Sequence, residues 1–179
     1  MRIIAGSRKG HTIYAPKGLA TRPTGDRARE AAFNLIGPVD GAIVLDVFAG
    51  SGAMGLEALS RGAERAVFVE ADADAVRAIE RNLDKLRLTG AAIVRSDARS
   101  ALAAEAAARR TYDLVLVDPP YDAWPDLEAG LAPYLAAVLA PDGLLVAETA
   151  ARIEPRLPLR LRTSRRYGAA RLTLYEPEP

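Results

Sequence analysis

The sequence predicts an α/β fold built on a largely parallel sheet, and three observations carry that prediction. Short, almost wholly apolar runs recur along the chain, at residues 43–45, 66–69, 92–94, 114–117 and 144–147. Segments with helical periodicity lie between them. Strands buried on both faces and joined by helices belong to a parallel sheet covered on both sides. The third observation is the turn after the first run, where Gly50, Gly52 and Gly55 fit the G-x-G-x-x-G pattern of nucleotide-binding α/β folds. Glycines there let the backbone turn sharply and bring main-chain N–H groups close to a ligand.

The elements follow in order. Residues 2–4 and 12–14 are short β-prone pieces around a basic, turn-rich loop, Gly6-Ser7-Arg8-Lys9-Gly10, and Pro16 and Gly18 close this small β extension. Arg22-Pro23-Thr24-Gly25-Asp26-Arg27 leads into a helix with Ala28, Ala31, Ala32 and Leu35 on one face. Thr24 or Asp26 can cap its start, and Gly37-Pro38 ends it. The first strand runs into Asp46, the glycine turn and a second helix. Residues 66–70 form a strand ending in Glu70. Residues 73–86 form an amphipathic helix with Val76, Ile79 and Leu83 on one face. A strand at 92–95 is followed by Ser96-Asp97, an Ala-rich helix at 101–109, and a strand at 114–117 that enters Asp118. A helix at 127–139 and a strand at 144–148 complete the alternation. The tail differs: residues 159–162 and 172–175 alternate in the strand manner around Gly168, which predicts a terminal β-hairpin at the sheet edge.

Composition bounds the function. A chain of 179 residues that is 50% hydrophobic can bury the core of one domain. No apolar run approaches the roughly 18 residues of a membrane span. The N-terminus lacks the apolar region of a signal peptide, so a cytoplasmic location is expected. There are no cysteines, which excludes disulfides, zinc–thiolate sites and thiol nucleophiles. A single histidine, His11, leaves no basis for a His-rich metal site or a Ser–His–Asp triad. The net charge of +1 hides an asymmetry: residues 1–29 hold seven Lys/Arg and one acid, residues 152–171 again seven and one, and the middle ten basic residues and nineteen acids. Two basic ends folded onto one face would suit a phosphate backbone.

Four acids, Asp46, Glu70, Asp97 and Asp118, stand at or just after strand carboxyl ends, where open α/β sheets bind ligands. One such acid is commonly a helix cap; four in consecutive units call for a ligand. Asp46, at the carboxyl end of the strand before the glycine turn, is poorly placed for a pyrophosphate and well placed for a ligand carrying positive charge. S-adenosylmethionine has an ammonium, a sulfonium and no phosphate. Glu70 lies about twenty residues after Gly50, the usual place of an acid that binds ribose hydroxyls, and Asp97 can accept from an adenine amino group. In Asp118-Pro119-Pro120-Tyr121, two prolines remove two N–H donors and stiffen the loop. Acceptors at Asp118 and the Pro119 carbonyl, beside the flat face of Tyr121, suit the exocyclic amine of a nucleobase.

Asp46-x-Phe48-x-Gly50-x-Gly52 with Asp-Pro-Pro-Tyr resembles the class I S-adenosylmethionine-dependent methyltransferases that modify exocyclic amines. Arg2-Ile3-Ile4-Ala5-Gly6, the block from Arg22 to Glu30, Phe33-Asn34, and the block from Phe48 to Gly62 resemble the RsmD-type enzymes, bacterial guanine-N2 methyltransferases of small-subunit (16S) ribosomal RNA. The resemblance implies a Rossmann-like, seven-stranded, mostly parallel sheet with its last strand antiparallel. Residues 1–20 would be an RNA-contacting β extension and residues 21–179 the methyltransferase domain. It implies S-adenosyl-L-methionine over Gly50 and Gly52, beside Asp46, Phe48 and Ala49. Glu70 with Ala71 would meet the ribose, Asp97 with Ala98 the adenine, and Thr24 and Arg27 the methionine end. Asp118, Pro119, Pro120 and Tyr121 would form the catalytic group. RNA contacts are expected at the basic ends, on Arg2, Arg8, Lys9, Arg22, Arg29, Arg165 and Arg166. A monomer acting on ribosomal RNA in a small-subunit particle, without metal or membrane, completes the expectation. The alternatives are an adenine-N6 or other exocyclic-amine methyltransferase, an NAD(P)-dependent oxidoreductase, and a non-catalytic RNA-binding assembly factor. The last two leave Asp118 to Tyr121 without a role.

Overall fold

The computed structural model describes residues 1–16, 25–120 and 123–178. Its elements are α1 (Gly25–Ile36), β1 (Ile43–Val47), α2 (Ala53–Ser60), β2 (Arg65–Glu70), α3 (Ala73–Leu86), β3 (Ala91–Arg95), α4 (Ala98–Ala107), β4 (Tyr112–Val117), α5 (Trp124–Ala137), β5 (Leu139–Ala150), β6 (Arg160–Tyr167) and β7 (Ala170–Glu176). They build one seven-stranded sheet in the order β3-β2-β1-β4-β5-β7-β6. The first five strands of that order are parallel, and β7 alone runs antiparallel to its neighbours. The α/β fold with a terminal hairpin is thus the one the sequence predicts. Because β1 is flanked by β2 on one side and β4 on the other, the strand order reverses there and opens a crevice at the carboxyl edge.

Alternation along each strand sends side chains to two cores. One face carries Val44, Phe68, Leu116, Val146, Leu172 and Leu174, covered by Phe33 of α1, Leu56 of α2 and Ile79 of α3. The other carries Leu45, Val69, Val117 and Leu145 under Leu102 of α4 and Trp124, Leu131 and Leu135 of α5. Helix α3 has the bounds that its periodicity predicts. Asp72 caps it by accepting from the Ala75 N–H at 2.8 Å, and Arg87 ends it in a left-handed conformation, φ +49°.

Several elements run longer than the sequence reading gave. Helix α4 begins at Ala98 because Asp97 caps it there. Helix α5 begins at Trp124, whose ring is fully buried, with Pro125 in its first turn. Strand β5 extends back to Leu139 through an irregular register opposite Tyr112 and Leu114. Asp26 lies inside α1 rather than at its start; Thr24, the other expected cap, lies outside the described residues.

The N-terminal β extension shrinks to one antiparallel bridge, Arg2 with Thr12, around a short 3-10 turn at Gly6–Arg8. Backbone bonds within the segment, such as Ile3 N–H to the His11 carbonyl at 2.9 Å, are joined by bonds to side chains far away in sequence. Glu57 accepts from the N–H groups of Ile4 (2.8 Å) and Ala5 (3.0 Å), and the Ser60 hydroxyl accepts from Arg8 N–H at 3.0 Å. Ile3 and Ile13 join the same core as α2 and α3, so the extension is packed into the domain.

Candidate active site at the carboxyl edge

The sheet order sets the four acids side by side along one edge, in the sequence Asp97, Glu70, Asp46, Asp118, as the ends of β3, β2, β1 and β4. Asp46 is buried within β1, and one carboxylate oxygen, Oδ2, accepts from the Gly55 N–H at 2.8 Å. It thereby satisfies one of the N–H groups that the first turn of α2 leaves open. Burial pushes its pKa up to about 7; the Gly55 N–H opposes that shift and the nearby Glu70 adds to it. A buried carboxylate at the neutral edge of ionisation is a receptor for positive charge.

The glycine turn is shaped by close approach. A Cβ on Gly55 would lie 2.3 Å from Phe68 Cε1 and 3.1 Å from Asp46 Oδ2. Gly52, at φ +79°, begins α2 in the left-handed region. Phe48 shares that region, at φ +64°, without being glycine. Such a conformation is disfavoured by roughly 1–2 kcal/mol for an L-residue, and its place in the loop beside Asp46 marks a backbone held for a purpose. Ala49 donates its N–H to the Val69 carbonyl at 3.0 Å, tying the turn to β2.

Glu70 braces the same turn. Its Oε2 accepts from Gly50 N–H at 2.8 Å and its Oε1 from Asp72 N–H at 2.9 Å. Ala71 is exposed beside it. Asp97 is exposed, and its Oδ1 accepts from Ser100 N–H at 2.9 Å; that bond first of all holds its carboxyl below the ordinary range. Ala98 is buried at the first position of α4.

Asp118 stands exposed at the rim, its N–H directed to the Val47 carbonyl at 3.4 Å, so the loop after β4 is seated against the end of β1. Pro119 is buried and Pro120 exposed. The Pro120 carbonyl accepts from Ala123 N–H at 2.9 Å and leads the chain into α5. Arg27 is exposed near the start of α1. Thr24, Arg22 and Tyr121, all singled out in the sequence, lie outside the described residues.

The basic residues divide. Arg29 is 4% exposed, donates to Asp26 at 2.9 Å and to the Arg2 carbonyl, and lies 3.6 Å from Glu57. It ties α1 to α2 and is withdrawn from any RNA surface, which corrects the expectation for it. The Arg8 guanidinium donates to the carbonyls of Leu86, Arg87 (3.3 Å) and Ser7 (3.2 Å). It neutralises the carboxyl terminus of α3 at the edge of the sheet opposite the site, so its expected RNA contact is corrected as well. Arg2, Lys9, Arg165 and Arg166 are exposed.

The sequence reading passed over Asn82. Fully buried on α3, its Nδ2 donates to the carbonyls of Ser51 and Tyr14, each at 3.0 Å, and its Oδ1 accepts from Tyr14 N–H at 2.7 Å. It fixes the glycine turn to the N-terminal segment. The available signal was an amide on the apolar stripe of an amphipathic helix. Among the described residues no group of acids or histidine is arranged to hold a metal, and no helix is long and apolar enough to cross a membrane.

This geometry can be set beside known proteins. A family described as "Conserved hypothetical protein 95" matches residues 1–176. A Bacillus subtilis protein, YlbH, provisionally named an rRNA methyltransferase, is 42% identical over 161 residues, 86% of this chain and 85% of its own. The "Ribosomal RNA small subunit methyltransferase D" of Escherichia coli K12 is 43% identical over 122 residues, 68% of this chain and 60% of its own. A solved Escherichia coli structure, provisionally titled as the methyltransferase yhhF, superposes with a TM-score of 0.87 at 36% identity, covering 99% of this chain and 98% of its own. With the class I edge geometry and a family match over nearly its whole length, the chain belongs to the Conserved hypothetical protein 95 family, the RsmD-type methyltransferases.

Proposed function

We propose that this protein transfers a methyl group from S-adenosyl-L-methionine to the exocyclic N2 of a guanine in small-subunit ribosomal RNA. The observation that carries it is the row Asp97–Glu70–Asp46–Asp118 along one carboxyl edge, with the Asp118 loop seated on the end of β1. The residues fit this cofactor: a buried acid poised near neutrality suits its cationic end, and the turn at Gly52 and Gly55 brings backbone close. Glu70 and Ala71 would meet the ribose hydroxyls. Glu70 already holds two backbone N–H groups, yet a carboxylate has about four acceptor positions, so two bonds leave room for two more. Asp97 and the Ala98 amide would take the adenine. Asp46, Phe48, Ala49, Gly50 and Gly52 would line the remainder, with Thr24 and Arg27 at the methionine end.

When bound, the cofactor supplies a methyl group on a sulfonium, open to direct displacement. The protein's own work is positioning. Asp118 and the Pro119 carbonyl accept the two N–H bonds of the amine and aim its lone pair across the edge toward Asp46. Holding both groups in line is a large part of the rate. A carboxylate beside the positive charge that develops on nitrogen lowers the barrier further. The guanine is splayed from its stack, and Tyr121 offers it an aromatic face. Arg2, Lys9, Arg22 and Arg165 are the basic side chains proposed for the RNA backbone; Arg166, expected there from the sequence, pairs with Arg171 on the other face of β6 and serves as the control. The protein would work in the cytoplasm as a monomer.

The test is transfer of labelled methyl to small ribosomal subunits from cells lacking the gene, and to their deproteinised RNA, followed by nucleoside analysis. N2-methylguanosine is the expected product. N6-methyladenosine would move the reading to the adenine enzymes. Absence of transfer to either substrate would overturn it. Asp118→Ala should lower the rate about 10²–10³-fold while cofactor affinity stays within about twofold; loss of both in a folded variant would assign Asp118 to the cofactor.

A further inference from the structure

The sheet register places one more functional side chain beside Asp118. Val117 of β4 pairs with Ala147 of β5, so the residue across from Asp118 is Glu148, itself paired with Leu172 of β7. Glu148 alternates with Ala147 and so shares a face with Val146, Leu116 and Leu172. It is half-buried, and together with Asp118 it lines a small cleft floored by Met54, Leu116, Val146 and Leu172. An apolar floor under two carboxylates is an unusual use of a sheet edge, and nothing proposed above for the cofactor engages Glu148.

We infer that Glu148 is a specificity-determining residue that reads the target base through its N1–H. This rests on the function proposed above. Guanine carries N1–H and the N2 amine as adjacent donors on one edge. An ionised carboxylate only accepts, so Asp118 on N2 and Glu148 on N1–H match that edge. Adenine shows an amine next to an N1 lone pair, and Glu148 would face that lone pair with another. Such a mismatch rejects the wrong base by repulsion, beyond what selects the right one. The contact needs one acceptor position of Glu148 and leaves the rest of the carboxylate for other partners.

The experiment uses the full chain and small subunits reconstituted around RNA in which the target guanosine, mapped with the wild-type enzyme, is replaced by 2-aminopurine riboside. That base keeps the N2 amine but has a lone pair at N1. Wild-type enzyme should prefer guanosine, by at least about 100-fold in kcat/KM, as sites built to receive a donor do. Glu148→Gln can donate to that lone pair, and Glu148→Ala removes the acceptor; each should shrink the preference at least tenfold. The loss of O6 in the analogue affects all the enzymes alike and cancels in this ratio. An unchanged ratio, with N2-methylguanosine still formed, overturns this inference alone. Loss of cofactor binding in both variants would make Glu148 a scaffold residue and overturn it too. A wild-type enzyme that makes no N2-methylguanosine overturns it together with the proposed function.

Discussion

Asp46 is the buried carboxyl group of the site. Its pKa is pushed up to about 7 by burial, above its ordinary value, so the folded state holds a proton that the unfolded chain has already released. The sign follows from linkage: this group favours folding most at low pH, and its contribution falls as pH rises from about 4 to about 7. Asp46→Asn should therefore flatten the pH dependence of stability across that window, as measured by urea unfolding at a series of pH values. A cation bound beside Asp46 reverses the shift. If S-adenosylmethionine binds the ionised form, its affinity should rise with pH below about 7, by up to about tenfold per unit, and binding should release a proton. Calorimetry in two buffers of different ionisation enthalpy reads that proton. Affinity that does not change between pH 5.5 and 8 would separate Asp46 from the cofactor's charge.

At the scale of elements, the glycine turn is held from three sides: by Asp46 through Gly55, by Glu70 through Gly50, and by Asn82 of α3 through the Ser51 carbonyl. Asn82 also carries the N-terminal segment at Tyr14, whose ring lies under Arg81 at 4.1 Å and Lys85 at 4.8 Å. Asn82→Ala leaves three backbone groups, one buried and two part-buried, without this partner. It should destabilise the protein by about 2–3 kcal/mol and weaken S-adenosylmethionine binding through a looser turn. Lost stability with unchanged affinity would confine Asn82 to the N-terminal segment. These latches also mark the limit of what a sequence shows. The strands and α3 were legible because their apolar period is local. Asp46, Glu70, Asp97 and Asp118 were legible because each ends such a strand. The N-terminal segment was legible only in part, since its backbone partners, Glu57, Ser60 and Asn82, lie more than fifty residues away. Arg8 and Arg29 read as free surface charge for the same reason: their partners come from α3, α1 and α2.

At the scale of the molecule, the terminal hairpin does two jobs set by strand alternation. As the edge strand, β6 carries Arg160, Arg162, Arg165 and Arg166, charges that discourage pairing with another chain. Its two faces differ. Arg165 pairs with Leu172, which pairs with Glu148, so Arg165 lies in the same row and on the same face as the edge beside Asp118. Arg166 pairs with Arg171, whose buried guanidinium reaches Glu154 at 3.0 Å and Ser164 at 2.8 Å, and it belongs to the face covered by α4 and α5. On the proposed function, a base held at Asp118 would bring its flanking phosphates over the first face and not the second. Arg165→Gln should therefore weaken binding to the RNA substrate and lower the slope of log affinity against log salt by about one. Arg166→Gln should leave the slope nearly unchanged, because its face is turned from the site. Filter binding over a salt series compares them directly. Equal losses would mean that RNA wraps the sheet edge, and a fixed slope in both would take the RNA off the hairpin.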